Sequence, residues 1–411
     1  MDVPSERGLS RAGTTAVAVA GFSTFLGLYA TQPLLGHFEA AFHASKAQVG
    51  LTVSASTLAV ALFAPLVGLV ADRTGRRRVI IGSLALLSIL TGLAATAGGL
   101  TSLIAWRFAE GAGVAAAYVV ALAYLTEEAG AHSLGRALAA FVAGNVLGGF
   151  AGRSVAGLVT EIADWRLAFV ALGAIRLAGA GVAAALLPPS RAFTPRRTRG
   201  PGMKALARGL LAPQLVATYA VGFFILFSLV AIFTYAGFYL GAAPFHLGPG
   251  AIGMLFTVYL VGAVVTPISG RWIDRVGARR VLAWSFVAAA AGAIMTLVPS
   301  IIVVLAGLAI TASGAFVAQV AATSYLRTAA PAPLRSLASG VYVTCYYVGG
   351  SVAGVAPGLL WSRAGWGGTI ALAVIAHVAA IAISARAWRE PGLRASGFEL
   401  RSERDIVATV R

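Results

Sequence analysis

Twelve apolar runs, each long enough to cross a lipid bilayer, dominate this sequence of 411 residues. A helix needs about 20 residues to span the hydrocarbon layer. Lipid offers no water to satisfy backbone groups, so only helices and closed barrels can cross it. The runs lack the polar alternation of barrel strands and therefore predict helices. We place these spans at residues 14–35, 47–70, 79–98, 102–126, 135–159, 166–188, 213–240, 250–272, 281–299, 301–326, 335–361 and 367–388.

The composition and the placement of charge agree with a membrane protein. Charged residues make up 11% of the chain, whereas soluble domains carry about 25%. The net charge is +17, and with the N-terminus in the cytoplasm 25 of the 31 Lys and Arg residues fall in cytoplasmic segments, which follows the positive-inside rule. We predict that both termini are cytoplasmic, that the basic segments contact membrane lipids, and that the chain does not bind nucleic acid.

One polar break divides the chain. The segment PPSRAFTPRRTRGPGMKALARG, between Pro188 and Leu210, is basic and rich in Pro and Gly, as linkers are. The predicted organisation is an N-terminal bundle of six helices at 1–188, a cytoplasmic basic linker at 189–210, a C-terminal bundle of six helices at 211–388 and a cytoplasmic tail at 389–411.

A motif of glycine, aspartate and arginine occurs once in each half. GLVADRTGRRR at 68–78 returns as GRWIDRVGARR at 270–280, 202 residues later, and each copy lies between two apolar runs. The pairs Gly148-Gly149 and Gly349-Gly350 repeat at a spacing of 201. The nearly equal offsets indicate that the two halves arose by duplication.

With these motifs the chain resembles the major facilitator superfamily, whose members have two six-helix bundles and a repeated loop of the form G-x-x-x-D-R-x-G-R-[RK]. The resemblance implies an all-α membrane protein with 12 transmembrane helices in two pseudo-symmetric bundles, in the cytoplasmic (inner) membrane of a bacterium. Four strings make the chain similar to the branch of arabinose-efflux-like and multidrug exporters: GFSTFLGLYATQPLL (21–35), RFAEGAGVAAAYVVALAYLTEE (107–128), GNVLGGFAGR (144–153) and FTYAGFYLGAAPFHL (233–247).

The repeated loop implies a conformational gate. In the family its aspartate is thought to meet the start of a helix in the other half when the transporter is closed to the cytoplasm. Carried over, Asp72 would face Arg335 and Ser336, and Asp274 would face Leu134 and Gly135. The predicted gate residues are Gly68, Asp72, Arg73, Gly75, Arg76, Gly270, Asp274, Arg275, Gly277, Glu127, Glu128 and Arg136.

Simpler interpretations exist for several of these residues. Arginines of the loop, such as Arg77, also serve to hold it in the cytoplasm. Glu127 and Glu128 close the fourth span, where they either pair with Arg76 or Arg136 in a network that breaks as the halves rock or are solvated surface carboxylates. The sequence leaves these alternatives open.

Few ionisable residues lie within the spans. Charge at bilayer depth is costly and usually faces a partner or a wet cavity. Arg107 and Glu110 are three residues apart in the fourth span, on one helical face where they can pair. We nominate Glu110 as the proton carrier, the alternative being a permanent structural pair with Arg107. Arg107, Arg153 and Arg176 outnumber this one acid, which favours anionic or neutral substrates.

Other polar residues in the spans are candidates for the substrate pathway. Asn145 and Arg153 lie eight residues apart on one face of the fifth span, beside glycines whose spacing lets helices touch. Antiporters of the superfamily often carry a Gly-Pro pair in this helix, whereas here Gly152 precedes Arg153, which argues against antiport. The complete set of pathway candidates is Glu110, Arg107, Tyr29, Gln32, Asn145, Arg153 and Gln319.

The sequence contains no signature of enzymatic or ATP-driven chemistry. The five histidines show no HExxH spacing and no GxxxxGK[ST] loop is present, so we predict no catalytic residues, no metal and no cofactor. The prediction is a monomeric secondary transporter of a small molecule that works by alternating access and exports its substrate in exchange for protons. The alternatives are an uptake symporter or facilitator of a small anionic or neutral solute, a channel, and an intramembrane enzyme.

Overall fold

The computed structural model of the chain describes residues 9–129, 131–190 and 209–389, without the side chains of 68–74, 131–132, 263 and 333. Most of the predicted linker at 189–210 and tail at 389–411 lies outside this part. Regular structure within it is helical. The first half comprises α1 (Arg11–Phe25), α2 (Leu35–Phe42), α3 (Lys46–Thr74), α4 (Arg76–Ala94), α5 (Leu100–Glu128), α6 (Ala131–Ile162) and α7 (Trp165–Leu186).

The second half repeats this pattern of long antiparallel helices. It comprises α8 (Pro213–Gly241), α9 (Pro249–Leu255), α10 (Val258–Val276), α11 (Ala278–Met295), α12 (Ile301–Ala329) and α13 (Arg335–Ala387). Ten candidate spans in the described part have the length and apolar composition to cross a membrane. The difference from twelve has two causes: α1 has only 15 residues, and α13 has 53 residues that contain two predicted spans. Gly365, at φ 52°, breaks α13 between them.

Span 1 is not a continuous helix, contrary to the run predicted at 14–35. After α1 ends at Phe25, the chain continues through turns with i→i+3 bonds, from the N–H of Ala30 to the carbonyl of Gly27 and from Gln32 to Tyr29, both at 3.1 Å. Tighter turns leave carbonyls free of their usual helical partners. Such unwound backbone persists at membrane depth only where protein or a wet cavity surrounds it.

Span 8 is also interrupted, where the sequence predicted one helix at 250–272. The helix stops after Leu255 and resumes at Val258, with Phe256 fully buried at the break. Discontinuous helices are common at transporter binding sites. The two interruptions face one another across the centre of the molecule, as the contacts described below show.

The two motif loops adopt the same backbone conformation. Gly75 has φ 86° and ψ 132°, and Gly277 has φ 88° and ψ 151°. Each glycine is the single residue between two consecutive helices. Side chains rarely tolerate such positive φ values, so glycine is required at both turns. This match supports the predicted duplication. We call the end of the bundle that carries these loops the motif end and the opposite end the far end.

Large apolar side chains remain exposed along many helices. Ile162 is 84% exposed, Ile302 75% and Leu359 68%. Monomeric soluble proteins rarely leave extended apolar surface in contact with water. We infer that lipid surrounds this apolar surface.

Candidate functional site

A cavity of about 140 Å³ lies between the two halves, and both contribute to its wall. Four predicted pathway residues line it: Tyr29, Gln32, Asn145 and Arg153. The remaining wall is mostly apolar and aromatic. It consists of Phe25, Val146 and Gly149 from the first half and Leu226, Leu229, Val230, Tyr259, Phe316, Tyr346 and Tyr347 from the second.

Arg153 is the charged residue of this wall. Its Nε donates to Oε1 of Gln32 at 2.7 Å, and its Nη1 donates to the carbonyl of Gly149 at 2.6 Å. Its guanidinium carbon lies 4.7 Å from the ring centre of Tyr29, 4.4 Å from that of Phe256 and 5.2 Å from that of Tyr259. Buried cation–π contacts of this kind contribute about 2 kcal/mol each. The arginine is thus held in an aromatic cage built from both halves.

Arg153 lies deeper than the sequence suggested. The apolar run predicted an outer end at residue 159, but α6 continues to Ile162. Nine residues at about 1.5 Å each place Arg153 roughly 13 Å from that end, and it is only 3% exposed. The side chain therefore does not snorkel to the surface; it turns toward the cavity.

Gln32 joins the unwound part of span 1 to the other half. Its Nε2 donates to Oγ1 of Thr234 in α8 at 2.8 Å, while its Oε1 accepts from Arg153. Gln319, also predicted for the pathway, is not part of the cavity wall. Its Oε1 accepts from the hydroxyl of Tyr342 at 2.8 Å within the second half.

The predicted pair of Arg107 and Glu110 is present but is not part of the central cavity. Glu110 forms ion pairs with Arg107 through Oε2 and with Arg176 through Oε1, the latter at 2.6 Å, and all three side chains are at most 1% exposed. The hydroxyl of Thr91 donates to Oε1 of Glu110 at 2.5 Å. One carboxylate is therefore shared by two arginines inside the first half, and the three side chains keep a net positive charge.

Backbone carbonyls of span 1, in its unwound part and in the last turn of α1, are further partners of these arginines. Arg107 Nη2 donates to the carbonyls of Gly27 at 2.9 Å and Leu28 at 2.6 Å. Arg176 Nε donates to the carbonyl of Ser23 at 3.0 Å. Arg176 was absent from the predicted site, because nothing in the sequence links it to a carboxylate 66 residues away. The cluster stabilises the interruption of span 1, since Arg107 binds the carbonyl of Leu28 and adds a second hydrogen bond to that of Gly27, which already accepts from the N–H of Ala30.

The far end of the molecule is closed by close contacts between α3 and α13. Ser54 Oγ donates to the carbonyl of Ser351 at 2.5 Å, and Ser351 Oγ donates to the carbonyl of Ser54 at 3.1 Å. One turn away, a Cβ built on Gly50 would overlap the carbonyl oxygen of Gly354. Glycine is needed there because the two backbones touch, as in the small-residue contacts of membrane helices.

A second contact closes the far end between α6 and α9. Glu161 Oε2 accepts from the N–H of Gly250 at 2.6 Å, in the first turn of α9. A carboxylate at a helix N-terminus is stabilised by the partial positive charge there. The sequence analysis missed Glu161, although the neighbouring Gly248-Pro249-Gly250 was a signal for a helix start.

At the motif end the structure shows only part of the predicted gate. The side chains of Gly68, Asp72 and Arg73 lie outside the described residues. Gly75 and Gly277 form the turns between consecutive helices, where their positive φ values require glycine. Gly270 has open space around its Cα, and Arg275 is exposed.

Asp274 of the second loop is not in contact with its predicted partner, the start of α6 in the other half. Asp274 is exposed and makes no hydrogen bond or ion pair within the described part of the chain. Gly135, at its expected docking site, has no atom within 4 Å of a built Cβ. The latch between Asp274 and the start of α6 is therefore not engaged in this conformation and stays a prediction.

Arg76 and Glu127 form a two-pronged ion pair. Arg76 Nη2 donates to Oε1 of Glu127 at 2.8 Å, and Nε donates to Oε2 at 3.1 Å. Both residues belong to the first half, so rocking of the halves as rigid bodies does not break this pair. Glu128 is partly buried, while Arg136 is exposed and forms no ion pair within the described residues.

Arg77 has a structural partner that the sequence analysis did not foresee. Its Nε donates to the carbonyl of Leu187 at 2.7 Å and its Nη2 to that of Ala184 at 2.6 Å. These are unpaired carbonyls in the last turn of α7, where a cation is favourable. The loop arginine therefore ties the motif end of α4 to that of α7.

Comparison with known proteins agrees with this architecture. The profile of the Major Facilitator Superfamily matches residues 17–243 and 239–404. The uncharacterized MFS-type transporter YybF of Bacillus subtilis (strain 168) is 31% identical over 385 residues, 93% of this chain and 95% of that protein. The inner membrane transport protein YnfM of Escherichia coli (strain K12) is 30% identical over 377 residues, 92% of this chain and 90% of that protein.

Solved structures share the fold. The crystal structure of a bacterial homologue of the human lysosomal transporter Spinster, in an inward-facing and occupied conformation, superposes with a TM-score of 0.76 at 15% identity and covers 92% of this chain and 98% of that chain. The predicted fold class, two repeated bundles of transmembrane helices, is confirmed. The chain belongs to the Major Facilitator Superfamily and is a multi-pass membrane protein that transports a small molecule, not an enzyme.

Proposed function

We propose that this transporter exports its substrate across the bacterial inner membrane by alternating access, driven by the proton gradient. One observation carries the proposal: a cavity shared by both halves is closed at the far end, while the described latch at the motif end is not engaged. Rocking of two rigid bundles around such a midplane site is how secondary transporters expose it to each side in turn.

The orientation follows from charge. The motif end carries the arginine-rich loops at 73–78 and 271–280, and the positive-inside rule assigns such loops to the cytoplasm. The closed far end then faces the periplasm. A far end that is closed while the Asp274 latch is unengaged supports a cavity that takes its substrate from the cytoplasm, the first step of export.

Proton coupling is proposed for Glu110, the acid that lies well within a span. Its two arginine partners are fully buried, so protonation would leave two positive charges with no counter-charge. Glu110 can carry a proton only if the pairs with Arg107 and Arg176 loosen during the cycle. A permanent structural pair is the competing interpretation, and the geometry of this conformation favours it.

Two other transport modes fit the same fold. The cavity wall described here holds an arginine and no carboxylate, which suits an uptake symporter or a facilitator of a small anionic or neutral solute as well as an exporter. The position of Arg153 within α6, where antiporters of the superfamily often have proline, also favours these alternatives.

Transport into inside-out membrane vesicles tests the proposal. Vesicles with and without the protein are energised to acidify their interior, and the accumulation of radiolabelled organic acids, alcohols and amines is counted before and after an uncoupler. Protein-dependent accumulation that the uncoupler abolishes supports proton-driven export. Equilibration without accumulation would contradict proton coupling, and accumulation only in right-side-out vesicles would contradict export.

A further inference from the structure

Arg153 is a buried charge without a counter-charge. Within the described residues no carboxylate lies within ion-pair distance of it, although it is 3% exposed. An arginine at bilayer depth costs at least about 2.5 to 3.5 kcal/mol on insertion scales, so a retained one ordinarily has a function. The rings of Tyr29, Phe256 and Tyr259 offset this cost through cation–π contacts, but they carry no negative charge that would neutralise the arginine.

Some N–H donors of the Arg153 side chain also have no hydrogen-bond partner among the described residues. A guanidinium has five N–H donors, and only two of them, one on Nε and one on Nη1, have partners in the protein. Nη2 is without any bond to a described residue. Arg107 differs, because its three nitrogens donate to Thr52, to Glu110, and to Gly27 and Leu28.

The contrast among the three arginines of the spans is informative. Arg107 and Arg176 share Glu110 and are sealed inside the first half. Arg153 instead lines the cavity between the halves. Of these three arginines, Arg153 is the one that a substrate in the cavity can reach. It is also the one with free N–H groups and an uncompensated charge.

The cavity suits an anion with a small apolar body. Apart from Arg153, Gln32 and Asn145, its wall is formed by aliphatic and aromatic residues and one glycine. A dry apolar cavity of about 150 Å³ accommodates benzene, so the measured 140 Å³ fits a body of one ring. A carboxylate matches the two terminal nitrogens of a guanidinium, to which its two oxygens can bind side by side.

We propose that Arg153 binds the carboxylate of a single-ring organic acid in the central cavity, with the ring against its aromatic wall. The inference deepens the proposed function by naming a substrate class. A positively charged or neutral molecule of the same shape would leave the arginine charge uncompensated.

The cage also connects binding to the conformation. Tyr29 and Arg153 belong to the first half, whereas Phe256 lies at the interruption of span 8 and Tyr259 in the first turn of α10, both in the second half. An anion bound to Arg153 thus lies where the two halves meet. Separation of the halves would remove two of the three rings from the arginine.

Calorimetry on the purified, full-length protein in lipid nanodiscs tests the site without any need for transport. Benzoate, benzamide and benzylammonium present the same ring with charges of −1, 0 and +1 at pH 7.5. We expect benzoate to bind about 10- to 100-fold more tightly than benzamide, the effect of one hydrogen-bonded charge, and benzylammonium not to bind. Absence of benzoate binding, or equal binding of benzoate and benzamide, would overturn the proposal.

Three variants assign the effect to the residue. Arg153→Gln should lose the preference for benzoate over benzamide, and Arg153→Lys should retain a smaller preference because it keeps the charge but not the fork. Arg166→Gln, a change to a half-exposed arginine at the start of α7, is the matched control and should bind as the native protein does. A preference that survives in Arg153→Gln would refute the assignment.

Failure of this site and failure of the proposed function give different results. If the native protein binds benzoate and benzamide equally but still shows proton-driven accumulation in vesicles, the anion site is rejected and the proposed export function stands. If the Arg153→Gln protein does not fold, as judged by gel filtration and thermal unfolding, the preference of the native protein for benzoate and the smaller preference of Arg153→Lys test the proposal instead; an undiminished preference in Arg153→Lys would refute the assignment.

Discussion

The carboxylate of Glu161 accepts a hydrogen bond from the backbone N–H of Gly250 at 2.6 Å, which joins the end of α6 to the start of α9 in the other half. The sequence predicted the same kind of contact, between an acidic side chain and a helix N-terminus, for Asp72 and Asp274 at the opposite end. The molecule thus has candidate latches of one chemical type at both ends. In this conformation the described latch at the far end is engaged and that of Asp274 is not.

Close packing at the far end predicts a sensitivity to added methyl groups. Gly50→Ala should separate α3 from α13, because its Cβ would overlap the carbonyl oxygen of Gly354. In a Cys345→Ser background, the reaction of a cavity cysteine, Val146→Cys, with an impermeant maleimide added outside intact cells should become several-fold faster.

Gly36→Ala is the matched control for this prediction, because no atom lies within 4 Å of a Cβ built there. It should leave the reaction rate unchanged. Equal rates in the Gly50→Ala and Gly36→Ala proteins would show that the contact does not hold the far end closed.

The cluster of Glu110, Arg107 and Arg176 predicts two effects of Glu110→Gln, one on stability and one on proton coupling, which can be measured separately. Glu110→Gln leaves two buried arginines without an acid, and breaking a buried pair costs about 3–5 kcal/mol, so the thermal unfolding temperature should fall. As proton carrier, Glu110 should also be needed for gradient-driven accumulation but not for counterflow exchange. Unchanged uphill transport in this variant would remove Glu110 as the carrier.

A double variant separates the two interpretations of this residue. Glu110→Gln with Arg176→Gln returns the net charge of the cluster to its native value, with Arg107 as the one arginine left without an acid, and should regain part of the lost stability. If Glu110 carries the proton, uphill transport stays absent in the double variant. Its recovery would make the cluster purely structural.

The motif aspartates predict a shift in conformational population. Asp72→Asn weakens a contact with a helix N-terminus worth roughly 0.3 to 2 kcal/mol, so the population closed at the motif end should fall by about 2- to 30-fold. Spin-label distances between the halves at the motif end measure this. Asp164→Asn, at a partly exposed acid of the far end, should have no effect, and an unchanged distribution in Asp72→Asn would exclude the gate.

The pair of Arg76 and Glu127 predicts a small, local effect. Its side chains are 11% and 31% exposed, and pairs near a surface contribute about 1 kcal/mol or less. Glu127→Gln should therefore lower the unfolding temperature slightly and leave the distances between the halves unchanged. A changed distance would instead place the pair in the gate network.

The sequence predicted those features that depend on local properties. Spans follow from apolar length, and the turns at Gly75 and Gly277 follow from the backbone freedom of glycine. The contact of Arg107 with Glu110 was foreseeable because residues three apart share a helical face. Arg153, Tyr29 and Gln32 were nominated as polar residues in apolar runs, and the structure brings them together.

Features that depend on contacts distant in sequence could not be predicted in this way. Arg176 reaches Glu110 across the bundle, and Glu161 reaches Gly250 in the other half. The interruption at Phe256 lies in an unbroken apolar run, and packing against Arg153 rather than composition marks it. Gln319 has a polar side chain within a span, like Gln32, but it bonds to Tyr342 outside the cavity wall.

Alternating access is tested most directly by two spin-label pairs in nanodiscs. One pair, at Ile162 and Ala251, spans the halves at the far end, and the other, at Ala139 and Arg271, spans them at the motif end; all four positions are exposed. Glu161→Gln weakens the far-end latch. The account predicts that the far-end distance lengthens and the motif-end distance shortens together, whereas a far-end change with an unchanged motif-end distance would contradict it.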